Sequence, residues 1–168
     1  MRPVNTLAVS LMLASSALMT LPVSAHDYTQ GEVSVAHPWS RPTPPGTPMG
    51  VGYMAISNGG HSEITLVAAE TPRAESVSIH ESITNDGVMS MRPLDNGLTI
   101  PAGETVELKP HGYHLMLEKL SSPLQEGERI PLTLTFDGAP AMKLELSVDP
   151  LDAAPMHEDG GTEDHGHH

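Results

Sequence analysis

The 168-residue chain contains no cysteine. Disulfide staples, thiolate metal sites and thiol nucleophiles are therefore excluded, and so is a blue-copper electron carrier, whose centre requires a Cys ligand. Aromatic residues are scarce, with one Trp, three Tyr and one Phe, too few for the flat aromatic face that a polysaccharide-cleaving enzyme offers its polymer. Basic residues are scarce too: eight Lys and Arg stand against 21 Asp and Glu, for a net charge of −13. Nucleic acid and anionic lipid are poor partners for such a surface. No apolar run reaches the roughly 20 residues that span a bilayer.

The longest mostly apolar stretch, Leu7 to Leu21, follows Arg2 and ends in Val23-Ser24-Ala25, small residues of the kind signal peptidase cuts after. Residues 1–25 read as a signal peptide, removed on export and leaving no membrane span. Residues 26–150 are then enough for one domain with its own core, and residues 151–168 form a tail too rich in Ala, Gly, acids and His to bury anything. Without disulfides, stability must come from packing. All ten His residues follow the signal, as do seven of the ten Met. Imidazole and thioether are the metal ligands that remain when thiolate is absent.

From residue 31 onward short alternating runs are separated by turn residues, and no window has a helical period. The pattern predicts strands over Glu32–Ala36, Val51–Ser57, Ile64–Ala68, Ser76–His80, Gly87–Met91, Thr105–Lys109, Tyr113–Glu118, Ile130–Thr135 and Met142–Val148. Asn85-Asp86-Gly87, Asp95-Asn96-Gly97 and Asp137-Gly138 are turns, because Asn, Asp and Gly tolerate positive φ. Many short strands closed by Gly and Pro turns indicate an all-β Greek-key sandwich or barrel. The segment from Arg41 to Pro48 holds four prolines and reads as a stiff surface connection rather than a central strand.

The chemistry concentrates in three places. In the run Tyr113 to Glu118, His114 and Met116 share one face while Leu115 and Leu117 take the other. Met89 and Met91 share a face around Ser90, and His80 ends a strand whose Val77 and Ile79 face away. A lone Met is usually core filler and a lone His usually means nothing. Here each position sits beside apolar residues that already supply the core face, so burial accounts for them poorly. Soft sulfur with imidazole and no carboxylate selects Cu(I), and His80 and Met91, near the turn at residue 86, look placed at an exposed rim.

The runs Val77-Ser78-Ile79-His80, Gly87 to Leu94, Leu108-Lys109-Pro110, Tyr113 to Leu117 and Pro131 to Phe136, with His37-Pro38-Trp39-Ser40-Arg41, resemble the periplasmic PCu(A)C copper chaperones. Their pattern is a His, ten residues, a Met, about twenty-one residues, then His-x-Met; here ten residues separate His80 from Met91 and twenty-two separate Met91 from His114. The resemblance implies a cupredoxin-like fold and a Cu(I) site of His80, Met91, His114 and Met116. It implies a location in the periplasm of a Gram-negative bacterium, and delivery of copper to the dinuclear centre of cytochrome c oxidase, through its subunit II or a thiol-bearing assembly factor. Two positions depart from the family: Glu81 stands where an optional Met often follows the first His, and His111 where Gly is common. Met89 and His111 are additional candidate ligands, with a surface role favoured for His111. In the tail, Met156, His157, His165, His167 and His168 are candidates for Cu(II), which suits nitrogen donors.

Three other readings compete. A copper enzyme using His26 as a free N-terminal ligand, as in oxidative polysaccharide-cleaving enzymes, lacks its aromatic platform, so no enzyme is expected. A plain structural β-sandwich would bind no stoichiometric metal. A copper storage or resistance protein would take several ions per chain and have no dedicated acceptor.

Overall fold

The computed structural model describes residues 27–152. The proposed signal peptide and nearly all of the tail, including Met156, His157, His165, His167 and His168, lie outside the described residues. Eleven strands follow one another: β1 (Tyr28–Gln30), β2 (Val33–Ser40), β3 (Met49–Asn58), β4 (Ile64–Glu70), β5 (Ala74–Asn85), β6 (Val88–Pro93), β7 (Leu98–Ile100), β8 (Thr105–Leu108), β9 (Tyr113–Leu120), β10 (Arg129–Asp137) and β11 (Met142–Val148). Among the described residues no helix is long and apolar enough to cross a membrane.

Alternation dictates which side of each strand is buried. In β11, Met142, Leu144, Leu146 and Val148 are buried, and in β10 so are Ile130, Leu132, Leu134 and Phe136. Those residues join Val33, Val35, Ile56, Leu66, Ile79, Ile100, Leu115 and Leu117 in one core cluster. The strands pair in the order β6-β5-β9-β8-β3-β2-β11-β10-β4-β7, with β1 added to β2 and β9 also pairing β3. Most neighbours are antiparallel; β11–β2 and β8–β9 are parallel, which marks the crossovers of a Greek-key arrangement. The all-β, cupredoxin-like fold expected from the sequence is the fold observed.

Several boundaries moved. The short strands β1 and β7, three residues each, were not expected, because three residues carry too little alternation to register. More consequential is β5, which runs on to Asn85 instead of stopping at His80. It does so because β6 pairs with it from His80↔Pro93 to Asn85↔Val88. The two-residue turn Asp86-Gly87, with φ of 50° and 80°, matches the twist of a tight hairpin. Thus His80 sits in mid-strand. Nor does β6 have a core behind it: every residue from Val88 to Pro93 is exposed, so the expectation that an apolar position backs Met89 and Met91 is wrong. The Arg41–Pro48 segment is a surface connection as expected, anchored where Thr43 N donates to Leu124 O and its hydroxyl accepts from Leu124 N at 2.8 Å.

Candidate metal centre

Two neighbouring strands carry the centre. In the antiparallel pair β5–β9, His80 lies directly opposite His114, Ser78 opposite Met116 and Ile79 opposite Leu115. Cross-strand partners share a face, so Ile79 and Leu115 point into the core, 6% and 0% exposed, while Ser78, His80, His114 and Met116 share the other side. The core residues thereby fix where the polar ones stand. The two imidazoles meet with ring centroids 5.6 Å apart and planes inclined at 49°.

The environment of each ring is specific. His114 is only 3% exposed, and its Nδ1–H donates to the carbonyl of Gly112 at 3.2 Å. His80 Nε2 lies 3.0 Å from the hydroxyl of Ser78. The remaining nitrogens, His80 Nδ1 and His114 Nε2, are buried and have no hydrogen-bond partner. A buried polar atom left unpaired costs about 1–3 kcal/mol, so two on facing rings mark a place arranged for something the protein itself does not supply. Burial pushes the pKa of His114 below its ordinary value; the Gly112 hydrogen bond opposes this and the nearby His80 reinforces it. The ring is held neutral, with a lone pair free for a metal.

Gly112 belongs to a tight turn in which its N–H donates to Lys109 O at 3.0 Å. Pro110 occupies the second position of that turn and His111 the third, with φ of 66°, a conformation that favours glycine. That explains why Gly is common there among the chains this one resembles. The Gly112 carbonyl also accepts from Ser82 N at 3.0 Å, tying the turn to β5. His111 itself is exposed, in keeping with a surface role.

The thioethers are placed unequally. Met116 stands next to His114 on the same face and is half-buried. Met91 pairs with Ser82 and Met89 with Thr84, on the same face but out on the edge strand, 55% and 49% exposed. Along β5, Met91 and Met116 thus lie two residues to either side of His80. Four residues of rise along β5, with β6 and β9 flanking it on opposite sides, put their strand positions roughly 16 Å apart. The imidazole pair and Met116 are brought together; Met91 is within a diagonal step of His80 and reaches the pair only if its hairpin leans over it. The expectation that His80 and Met91 share an exposed rim holds for Met91, 55% exposed, but not for His80, which is half-buried in mid-strand.

Glu81 pairs with Arg92 across the hairpin and forms an ion pair with it, on the face opposite His80. Position 81 thus points away from the centre. Met49, which spacing gave no reason to single out, pairs with Glu118 while Val51 pairs with Met116; this puts its thioether diagonal to Met116 on the outer face, 38% exposed. Only strand register could reveal that neighbour. Among the described residues no group of three or more His, Asp or Glu side chains converges; what this face offers is two imidazoles and neighbouring thioether sulfur. Such a set suits a soft monovalent cation and serves Zn, Mg or Ca poorly.

Comparison with known proteins identifies the family and the fold. The family described as LpqE-like matches residues 33–148, which include β2 through β11. The protein of Leifsonia xyli subsp. xyli described as "Putative lipoprotein Lxx21020" is 34% identical over 140 residues, covering 80% of this chain and 82% of that one. Among solved structures, the copper-bound PCuAC domain from PmoF2 superposes with a TM-score of 0.64 at 22% identity, covering 74% of this chain and 98% of that domain. The solution structure of CuI-DR1885 from Deinococcus radiodurans gives a TM-score of 0.54 at 28% identity, over 79% of this chain and 81% of that one.

Proposed function

The chain belongs to the LpqE-like family and has the PCuAC fold, and from that premise we propose that it is an exported copper chaperone. It holds one Cu(I) through His80, His114, Met116 and Met91. The observation that carries this reading is the pair of facing imidazoles with unpartnered buried nitrogens, set beside a thioether. The Deinococcus neighbour, 28% identical to this chain, was solved in its Cu(I) form, which supports the choice of ion.

The chemistry of release favours a carrier over a store. Neutral ligands leave the ion's charge uncompensated, so Cu(I) passes downhill to a thiolate-rich acceptor. The exposed side of the site, at Met91, is where an acceptor thiol would enter while His80 and His114 still hold the ion. We assign the acceptor as the two-cysteine copper domain of cytochrome c oxidase subunit II or a thiol-bearing factor serving it, and the compartment as the periplasm. The tail residues Met156, His157, His165, His167 and His168 are assigned a separate Cu(II) site.

Anaerobic Cu(I) titration with X-ray absorption tests the site. One equivalent with mixed sulfur and nitrogen neighbours is expected, and a shell of nitrogen and oxygen alone would refute it. Transfer to the reduced two-cysteine domain should outrun capture by a chelator. Transfer at the dissociation-limited rate with every acceptor would mean storage instead.

A further inference from the structure

A neutral imidazole carries one N–H and one lone pair, and a metal can take only the lone pair. Which nitrogen binds is therefore set by what holds the other. For His114 the holder is the Gly112 carbonyl, which can only accept; it keeps the proton on Nδ1 and turns Nε2 into the free donor atom. His80 stands opposite with the reverse arrangement. Its Nε2 is the engaged atom, 3.0 Å from Ser78 Oγ, and its Nδ1 is the buried atom without a partner.

Resting on the copper reading above, we propose that Ser78 is the positioning residue of His80. A hydroxyl can donate or accept, and here it takes the accepting role, because the nitrogen left for a metal is the unpartnered Nδ1; the contact holds the ring's rotation and keeps the proton on Nε2. The site is thus asymmetric, Nδ1 from one strand and Nε2 from the other. The asymmetry follows from the outer contacts: the rings stand directly opposite each other, but Ser78 engages Nε2 of one and Gly112 engages Nδ1 of the other. Ser78 is suited to the task because it lies two residues before His80 on the same face, opposite Met116, with a side chain too short to reach a metal between the rings. A hydroxyl is also neutral, so it orients the ring without adding charge to a site that must give its cation away.

The test is residue-resolved nitrogen NMR of the full chain labelled at histidine, first without metal and then with one equivalent of Cu(I). Before metal is added, His80 should carry its proton on Nε2 and His114 on Nδ1. On loading, the shifts should fall on His80 Nδ1 and His114 Nε2. Ser78→Ala should leave the fold and the His114 tautomer unchanged, turn His80 into a mixture of tautomers, and weaken Cu(I) about tenfold against a competing chelator, the lower end for loss of an outer partner. Ser78→Thr, which keeps the hydroxyl on a strand, should restore both. A His80 proton on Nδ1 in the parent chain, or an alanine variant with unchanged tautomer and affinity, would overturn the proposal. Failure of Cu(I) to shift either ring would overturn the copper reading instead, while the metal-free tautomers would still decide the role of Ser78.

Discussion

The two sides of the centre are built on different foundations. On the β9 side, His114 and Met116 alternate with Leu115 and Leu117, both 0% exposed, so moving either ligand would mean moving the core. On the β6 side, Met89 and Met91 occupy an edge strand exposed from end to end, held by its pairing to β5 and by the Glu81–Arg92 ion pair. An exposed ion pair of this kind contributes little. Under the proposed copper reading the difference separates two jobs: the buried side would set selectivity and geometry, and the edge side would admit and release the ion. A carrier needs both, since a site rigid all round would bind well and let go slowly.

That contrast can be broken most severely from the core. Leu115→Ala should cost about 2–5 kcal/mol of stability, as truncation of a fully buried leucine does, and should disorder the histidine pair with it. Val88→Ala on the hairpin, 68% exposed, should stay within about 0.5 kcal/mol. Denaturant unfolding of the metal-free protein checks both. Equal losses at the two positions would erase the distinction.

At the level of ligands, His114→Ala should weaken Cu(I) by at least about 100-fold, above the range for outer-sphere changes, as read by chelator competition. Met91→Ile should cost about tenfold, keep the metal-free melting temperature because the side chain is exposed, and slow transfer to a thiol acceptor more than it slows loading. If Met91→Ile lowered stability, the hairpin would be structural after all. His61→Ala, on an exposed loop, should alter neither binding nor transfer.

Acid sharpens the same comparison. His114 has a pKa lowered in the folded state, so the unfolded chain takes up its proton first as pH falls. The stability this ring contributes is fully present above the ordinary histidine value of 6.5. It declines as pH drops below that value and is lost once pH passes the folded-state pKa. Thermal unfolding of the metal-free protein between about pH 7 and 5 should show the decline, and His114→Gln should flatten it. A small effect of opposite sign is expected at the turn that aims this ring: His111→Gly should relieve the positive φ and stabilise by about 1 kcal/mol or less, with Cu(I) affinity unchanged if His111 is a surface residue.

Composition and alternation alone determined that the protein is all-β, that the prolines from 42 to 48 form a connection, and that His114 and Met116 share a face, because a period of two is written into the order of residues. The resemblance carried by His80, Met91 and His-x-Met supplied the candidate ligands. Sequence could not give register, which depends on which strands lie side by side. Register placed His80 against His114 across 33 intervening residues, carried β5 past His80 into an edge hairpin, turned Glu81 away, and left Met91 outside the closed part of the site. Nor could it show that Ser78 and Gly112 hold the outer nitrogens of the two rings. Those contacts exist only once the core residues behind them, Ile79 and Leu115, have packed and fixed the strands that carry them.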